Sequence, residues 1–207
     1  VPVPVPVWEE KGFRLSVEDI EKRITCKTKI LMINSPNNPT GAVLEDEDLT
    51  AIAELAKKYN LLVISDEVYC TLLYDGMEHK SIISLPNMKE RTIVVNSFSK
   101  SFAMTGWRVG YAMGCEEIID KMTRLQENIV ACVTEVSQYA ALKALSVFDK
   151  AEAMKDIYRE RRDLMVNGLN SIEGISCIKP KGSFYVFPNI KALGKDSNTV
   201  ANELLEK

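Results

Sequence analysis

Three short, almost wholly apolar runs constrain this chain most: KILMIN (29–34), LLVIS (61–65) and TIVVN (92–96). A strand with one wet face alternates apolar and polar residues. A run that is apolar at nearly every position suits a strand covered on both faces. Between the first two runs lies 45–59, where Leu49, Ile52, Ala53 and Ala56 recur at helical spacing behind a crowd of acids in the first turn. Covered strands alternating with amphipathic helices predict an α/β fold, a mainly parallel sheet with helices on both faces. VGYAMG (109–114) reads as a fourth strand.

The flanking regions read differently. The opening VPVPVPVW cannot form a central strand, because proline lacks the ladder donor, so it is expected as an extended edge segment or connection. Ser16 begins a short helix, with Asp19 at the capping-box position. Beyond Glu116 two long helical stretches are expected, near 116–147 and 150–171, the second closed by Glu173-Gly174. Two strands, 175–178 and 183–187, are expected around the turn PKGS. The expected domain boundary lies near residue 148, with 1–148 in a larger domain and 149–207 holding a connecting helix and part of a smaller α+β domain. The chain starts without a methionine and ends in the helical pattern TVANELLEK, so it is expected to be a piece of a longer protein.

Composition narrows the function. With 207 residues, 46% hydrophobic and 27% charged, the chain is long enough for a sizeable core. A formal net charge of −3 gives no electrostatic case for nucleic acid or an anionic membrane surface, and no apolar run reaches the length of a membrane span. The five cysteines are odd in number and form no C-x-x-C pair, which fits reduced thiols and a cytoplasmic protein. The one histidine, His79, excludes H-E-x-x-H zinc chemistry and reads as a surface-loop residue in DGMEHK.

Each covered strand runs into unusual polar residues. The first leads to Asn38 in NNPTG, the second ends at Asp66 in SDEVY, and the third reaches Ser97, Ser99 and Lys100 in NSFSKS. Singly, each has an ordinary alternative: Asn38 a turn residue, Asp66 a helix cap, Lys100 a solvated cation, Tyr69 a core phenol. Together they form a set, because ligands of open α/β sheets bind outside the carboxyl ends of the strands. An amine, a carboxylate, an amide and a phenol around one rim suit pyridoxal 5'-phosphate. The lysine would take the aldehyde as a Schiff base. The carboxylate would pair with the ring nitrogen, and the amide and phenol with the ring hydroxyl. Hydroxyls and Arg108, eight residues after the lysine, would hold the phosphate.

NSPNNPTG, SDEVY and NSFSKSFAMTGWRVGY, in this order, resemble the class I/II aminotransferases of the aspartate aminotransferase fold type, and KGSFYVFPNI resembles the start of that family's small domain. The resemblance implies pyridoxal 5'-phosphate as cofactor, and an amino acid and a 2-oxo acid as substrates (aspartate or aromatic aminotransferase-like). It implies a homodimer with the active site at the subunit interface. Lys100 is implied as the cofactor-bound lysine and proton carrier, Asp66 as the partner of the ring nitrogen, and Tyr69 and Asn38 as partners of the ring hydroxyl. Ser97, Arg108 and the weaker candidate Ser99 are implied as phosphate ligands, with Gly106 and Gly110 giving a tight backbone there. The family's earlier phosphate loop, ring-stacking aromatic and carboxylate-binding arginine are not found in this chain, so the isolated chain is expected to be inactive. Two other enzymes compete with this reading. A carbon–sulfur β-lyase on the same fold would use the same lysine and aspartate. A serine acyl enzyme would use SFSK as S-x-x-K, but it lacks K-T-G, and its only S-D-N-like stretch, SDE, lies upstream.

Overall fold

The computed structural model describes residues 1–207. Its main sheet has four strands in sequence order: β1 Ile30–Asn34, β2 Leu62–Asp66, β3 Thr92–Ser97 and β4 Gly110–Met113. β1, β2 and β3 run parallel, whereas β4 is antiparallel to β3, so the sheet is mixed. The α/β class holds, and the fourth strand is the departure from a wholly parallel sheet. Only the short helix α3 (Phe98–Ser101) and one 3-10 turn, Thr105–Trp107, separate β3 from β4. That is too little chain for a crossover across a sheet face, so the chain turns back at the rim.

Helix α2, Asp46–Lys58, covers one face of β1 and β2. It starts from a reciprocal cap in which the Glu45 carboxylate accepts from the Asp48 N–H and the Asp48 carboxylate accepts from the Glu45 N–H at 2.8 Å. Leu49, Ile52, Ala53, Leu55 and Ala56 are its buried stripe, packed with Leu31, Ile33, Leu61 and Val63 of the sheet layer. Burying each such leucine or isoleucine contributes about 1.5–3 kcal/mol, which makes this layer the stable frame beneath the strand ends. The shorter helix α1, Val17–Glu21, is capped by Ser16 Oγ, which accepts from the Asp19 N–H, and Ile20 joins the same core. The Val-Pro opening pairs with no strand, so it is a connection rather than an edge strand.

The second half departs more from expectation. The stretch expected as one helix over 116–147 is two, α4 Glu116–Val130 and α5 Glu135–Ala144, split where Ala131 takes φ 59°. Val130, Val133 and Thr134 crowd this break, and β-branched residues favour helix weakly. A 3-10 turn, Leu145–Val147, then leads into α6, Phe148–Asn170. The last part holds the two-stranded antiparallel pair β5 Ser176–Cys177 and β6 Pro188–Asn189, and helix α7, Ser197–Leu205. The expected strand 183–187 does not form. Ser183 takes φ 60°, and its N–H and C=O bond Leu72 and the Tyr74 hydroxyl instead of a neighbouring strand. Arg162 of α6, 5% exposed, ties this region to the first half. Its guanidinium bonds Asp75 at 2.8 and 3.0 Å and lies over the Tyr74 ring at 4.6 Å. No helix is long and apolar enough to cross a membrane.

Candidate active site

Register brings the polar residues to one rim. Asn34 of β1 sits beside Asp66 of β2, which sits beside Val95 of β3, so the three parallel strands end together. The three loops that leave these strands therefore emerge side by side. Asn34 shapes the first exit: its Oδ1 accepts from the Asn38 N–H at 2.8 Å, and its amide donates to the Asp66 carbonyl at 3.1 Å. Asn38 is left exposed on top of this turn.

At the second exit, Asp66 is half-buried. Its Oδ1 accepts from the Val68 N–H at 3.2 Å across the turn that follows β2, and its Oδ2 has no partner within the chain. Three residues on, Tyr69 is 2% exposed. Burial, with the hydrogen bond to Tyr185 next, pushes its phenol well above the ordinary value of 10.0, so it stays protonated and able to donate.

At the third exit, Ser97 caps α3. Its Oγ accepts from the Ser99 N–H at 3.1 Å and donates either to Ser99 Oγ, 2.9 Å away, or to the Val109 carbonyl, 3.1 Å away. Lys100, half-buried on α3, forms no ion pair, and its Nζ lies 5.2 Å from the centre of the Phe184 ring. Ser97 makes no bond to Lys100, so the Ser–Lys dyad of an acyl enzyme is not formed. Arg108 takes φ 51° and is exposed, and its Nη1 donates to the Thr105 carbonyl at 3.0 Å. Its side chain is not brought onto Ser97, although the next residue, Val109, is bonded to Ser97 and Phe98. Gly110 is tightly packed: a Cβ there would lie 2.7 Å from the Asn96 carbonyl. Gly106 has open space around it, which corrects the expectation of a tight backbone at both glycines.

Two aromatic residues complete the site and were not singled out as site residues from the sequence. Phe184 lies beside Lys100, and its ring meets that of Tyr69 edge-on at 5.4 Å. The Tyr185 hydroxyl is 2.8 Å from the Tyr69 hydroxyl and accepts from the Asn38 amide at 3.4 Å. The available signal was the aromatic pair directly after the PKGS turn.

His79 also departs from expectation. It is not a free surface side chain, because its Nε2 meets Glu67 Oε2 at 2.7 Å, and Glu67 is 5% exposed. Burial pushes the Glu67 carboxyl up, and hydrogen bonds from His79, Ser81 and Ser65 outweigh it, leaving the group below its ordinary 4.5.

The sequence model of the family described as Aminotransferase class I and II matches residues 1–207. The chain is 46% identical to aromatic-amino-acid aminotransferase 2 of Thermococcus litoralis, with 100% of this chain and 54% of that protein aligned. It is 48% identical to an aspartate aminotransferase of Pyrococcus abyssi, over 99% of this chain and 53% of the relative. Among solved structures, the aromatic aminotransferase from Pyrococcus horikoshii OT3 superposes with a TM-score of 0.95 at 46% identity, over 99% of this chain and 55% of that one. The chain thus spans about half the length of the relatives it matches.

Proposed function

The chain belongs to aminotransferase class I and II, and we propose that the whole protein uses pyridoxal 5'-phosphate to move an amino group between an L-amino acid and a 2-oxo acid, with aspartate or an aromatic amino acid as donor. The observation that carries this reading is the donor set at the strand ends. Lys100 has no carboxylate partner, and Asp66 keeps one oxygen without a partner in the chain, both on a rim shared with the Tyr69 phenol and the Asn38 amide. An amine, an acid and neutral hydrogen-bonding groups match an aldehyde, a ring nitrogen and a ring hydroxyl, so the residues present fit the cofactor.

Bound here, the cofactor supplies an electron sink for the bond broken at the substrate Cα. Lys100 would hold it through Nζ, and the same Nζ would carry the proton from the substrate Cα. The Asp66 carboxylate keeps the ring nitrogen protonated. Tyr69 donates to the ring hydroxyl, with Asn38 next to it. Ser97, Ser99 and Arg108 are assigned to the phosphate, Arg108 by swinging away from the Thr105 carbonyl it now bonds. We assign 1–148 to the large cofactor-binding domain and 149–207 to the connecting helix and small domain, which agrees with the start of α6 at Phe148. A cytoplasmic homodimer completes the reading. Exposed apolar residues such as Leu125, Ile129, Tyr139 and Leu142 on α4 and α5 support a packed neighbour, and five free cysteines fit a reducing compartment.

The test is borohydride reduction of the cofactor-treated whole protein, followed by peptide mapping. The pyridoxyl mass is expected on Lys100. A label on Lys57 or Lys121 instead would end the assignment.

A further inference from the structure

The segment 180–185 is stitched across the strand ends of the first half. Lys181 and Gly182 donate their N–H groups to the Gly41 carbonyl at 3.1 and 3.0 Å, Ser183 donates to Leu72 O at 2.8 Å, and Tyr74 donates back to Lys181 O at 3.1 Å. Arg162 Nη1 holds the Pro180 carbonyl at 3.2 Å. Gly41, at φ +68°, lets the segment come so close that a Cβ there would sit 2.2 Å from Pro180 Cβ. Ser183 is fully buried. The side chains of Phe184 and Tyr185 are therefore delivered from a fixed backbone.

Phe184 and Tyr185 pack on each other at 4.7 Å, and both pack on Tyr69. Asn38 Nδ2 donates to the Tyr185 oxygen at 3.4 Å, and the Tyr69 and Tyr185 oxygens lie 2.8 Å apart, so either phenol can donate to the other. When a group in the site takes the Tyr69 proton, Tyr185 is the phenol left to donate within the pair. A phenol that accepts one hydrogen bond becomes a stronger donor in the next, because linked hydrogen bonds polarise one another.

We propose that Tyr185 is a positioning residue that acts through Tyr69: it orients and strengthens the Tyr69 phenol that donates to the ring hydroxyl of the cofactor. This rests on the proposed cofactor reading. Without Tyr185 the Tyr69 donor weakens, more negative charge stays on the ring oxygen, and the nitrogen through which Lys100 holds the cofactor keeps its proton to higher pH.

The test uses the whole protein as wild type, Tyr69→Phe, Tyr185→Phe and the double variant. For each, the cofactor dissociation constant and the pH midpoint of the bound cofactor's visible absorption are measured. Tyr185→Phe keeps the ring packing and removes only the hydroxyl. It is expected to raise the midpoint by about half a pH unit and to weaken cofactor binding about three- to tenfold, the size of one lost hydrogen bond. Added to Tyr69→Phe, it is expected to change neither quantity further, since a residue acting through Tyr69 has nothing left to act on. A Tyr185→Phe midpoint equal to wild type overturns the proposal, and so do fully additive effects in the double variant. Failure of the cofactor reading is separately visible, as a wild-type protein with no cofactor absorption and no reducible label on Lys100, and it takes the proposal down with it.

Discussion

Asp66 and Glu67 are consecutive acids at the end of one strand, and their surroundings are opposite. Alternation along β2 puts Val63, Ser65 and Glu67 on one buried face, and Leu62, Ile64 and Asp66 on the other. Glu67 receives three donors from its own chain, Ser65 Oγ at 2.8 Å, Ser81 Oγ at 2.5 Å and His79 Nε2 at 2.7 Å. Asp66 receives one backbone N–H and leaves an oxygen unpartnered at the rim. A carboxylate saturated from within holds the fold and has little capacity left for a ligand. A carboxylate with a spare oxygen on the same rim as an unpaired lysine has that capacity. The strand exit thus carries its own control, a structural acid next to the acid assigned to chemistry.

The comparison breaks most sharply at Glu67. Glu67→Ala strands two hydroxyls and an imidazole in a largely buried site, and losing one partner of a buried charged network costs about 3–5 kcal/mol. The expected outcome is a loss of that size in denaturant-unfolding free energy, with kcat of the folded whole protein within about threefold of wild type. A large kcat loss with unchanged stability would place Glu67 in the chemistry and dissolve the contrast.

Asp66→Ala reverses the pattern. Removing one preorganised electrostatic partner lowers kcat by on the order of 10²-fold, about 2.7 kcal/mol of transition-state stabilisation. Stability should fall by no more than about 1 kcal/mol, the value of the single turn bond to Val68. Steady-state kinetics beside a melting curve separates the two. Near-normal turnover with a large drop in stability would make Asp66 only a cap.

The two acids were not equally legible. Asp66 stood out because an acid directly after an apolar run is unusual, and the run itself was legible because both faces of β2 are apolar, one buried and the other half-buried. Glu67 drew no attention, since its partners lie up to fourteen positions away in a segment with no periodic pattern, and His79 there looked solvated. Tyr185 was hidden for the same reason, lying 116 positions from Tyr69. The main helix α2 followed from its apolar stripe, whereas the break at Ala131 and the reversal of β4 depend on backbone conformation and connection, which composition does not encode. Arg108 was placed by motif near the phosphate ligands, but its side chain turns to Thr105.

The smallest expected effect concerns pH. The Glu67 carboxyl lies below its ordinary 4.5 in the fold, because the donors from His79, Ser81 and Ser65 outweigh the burial that raises it. A group with a depressed folded value contributes stability that is fully present above its unfolded value and is lost as pH falls through the folded one. The window is therefore the acid side of about 4.5, not neutrality. Cys70 and Tyr111, which also feel the Glu67 charge, are both pushed above their ordinary values, by burial first, so neither ionises in acid to blur the readout. Glu67→Gln keeps the shape, removes the charge and cannot titrate. Unfolding free energies of wild type and Glu67→Gln, measured from pH 7 down to pH 3, should differ by a constant amount above about pH 5 and converge below 4.5. A difference that stays flat across the whole range would mean that the Glu67 carboxyl titrates alike in the folded and unfolded chain, and the distinction drawn between the two neighbouring acids would lose its electrostatic basis.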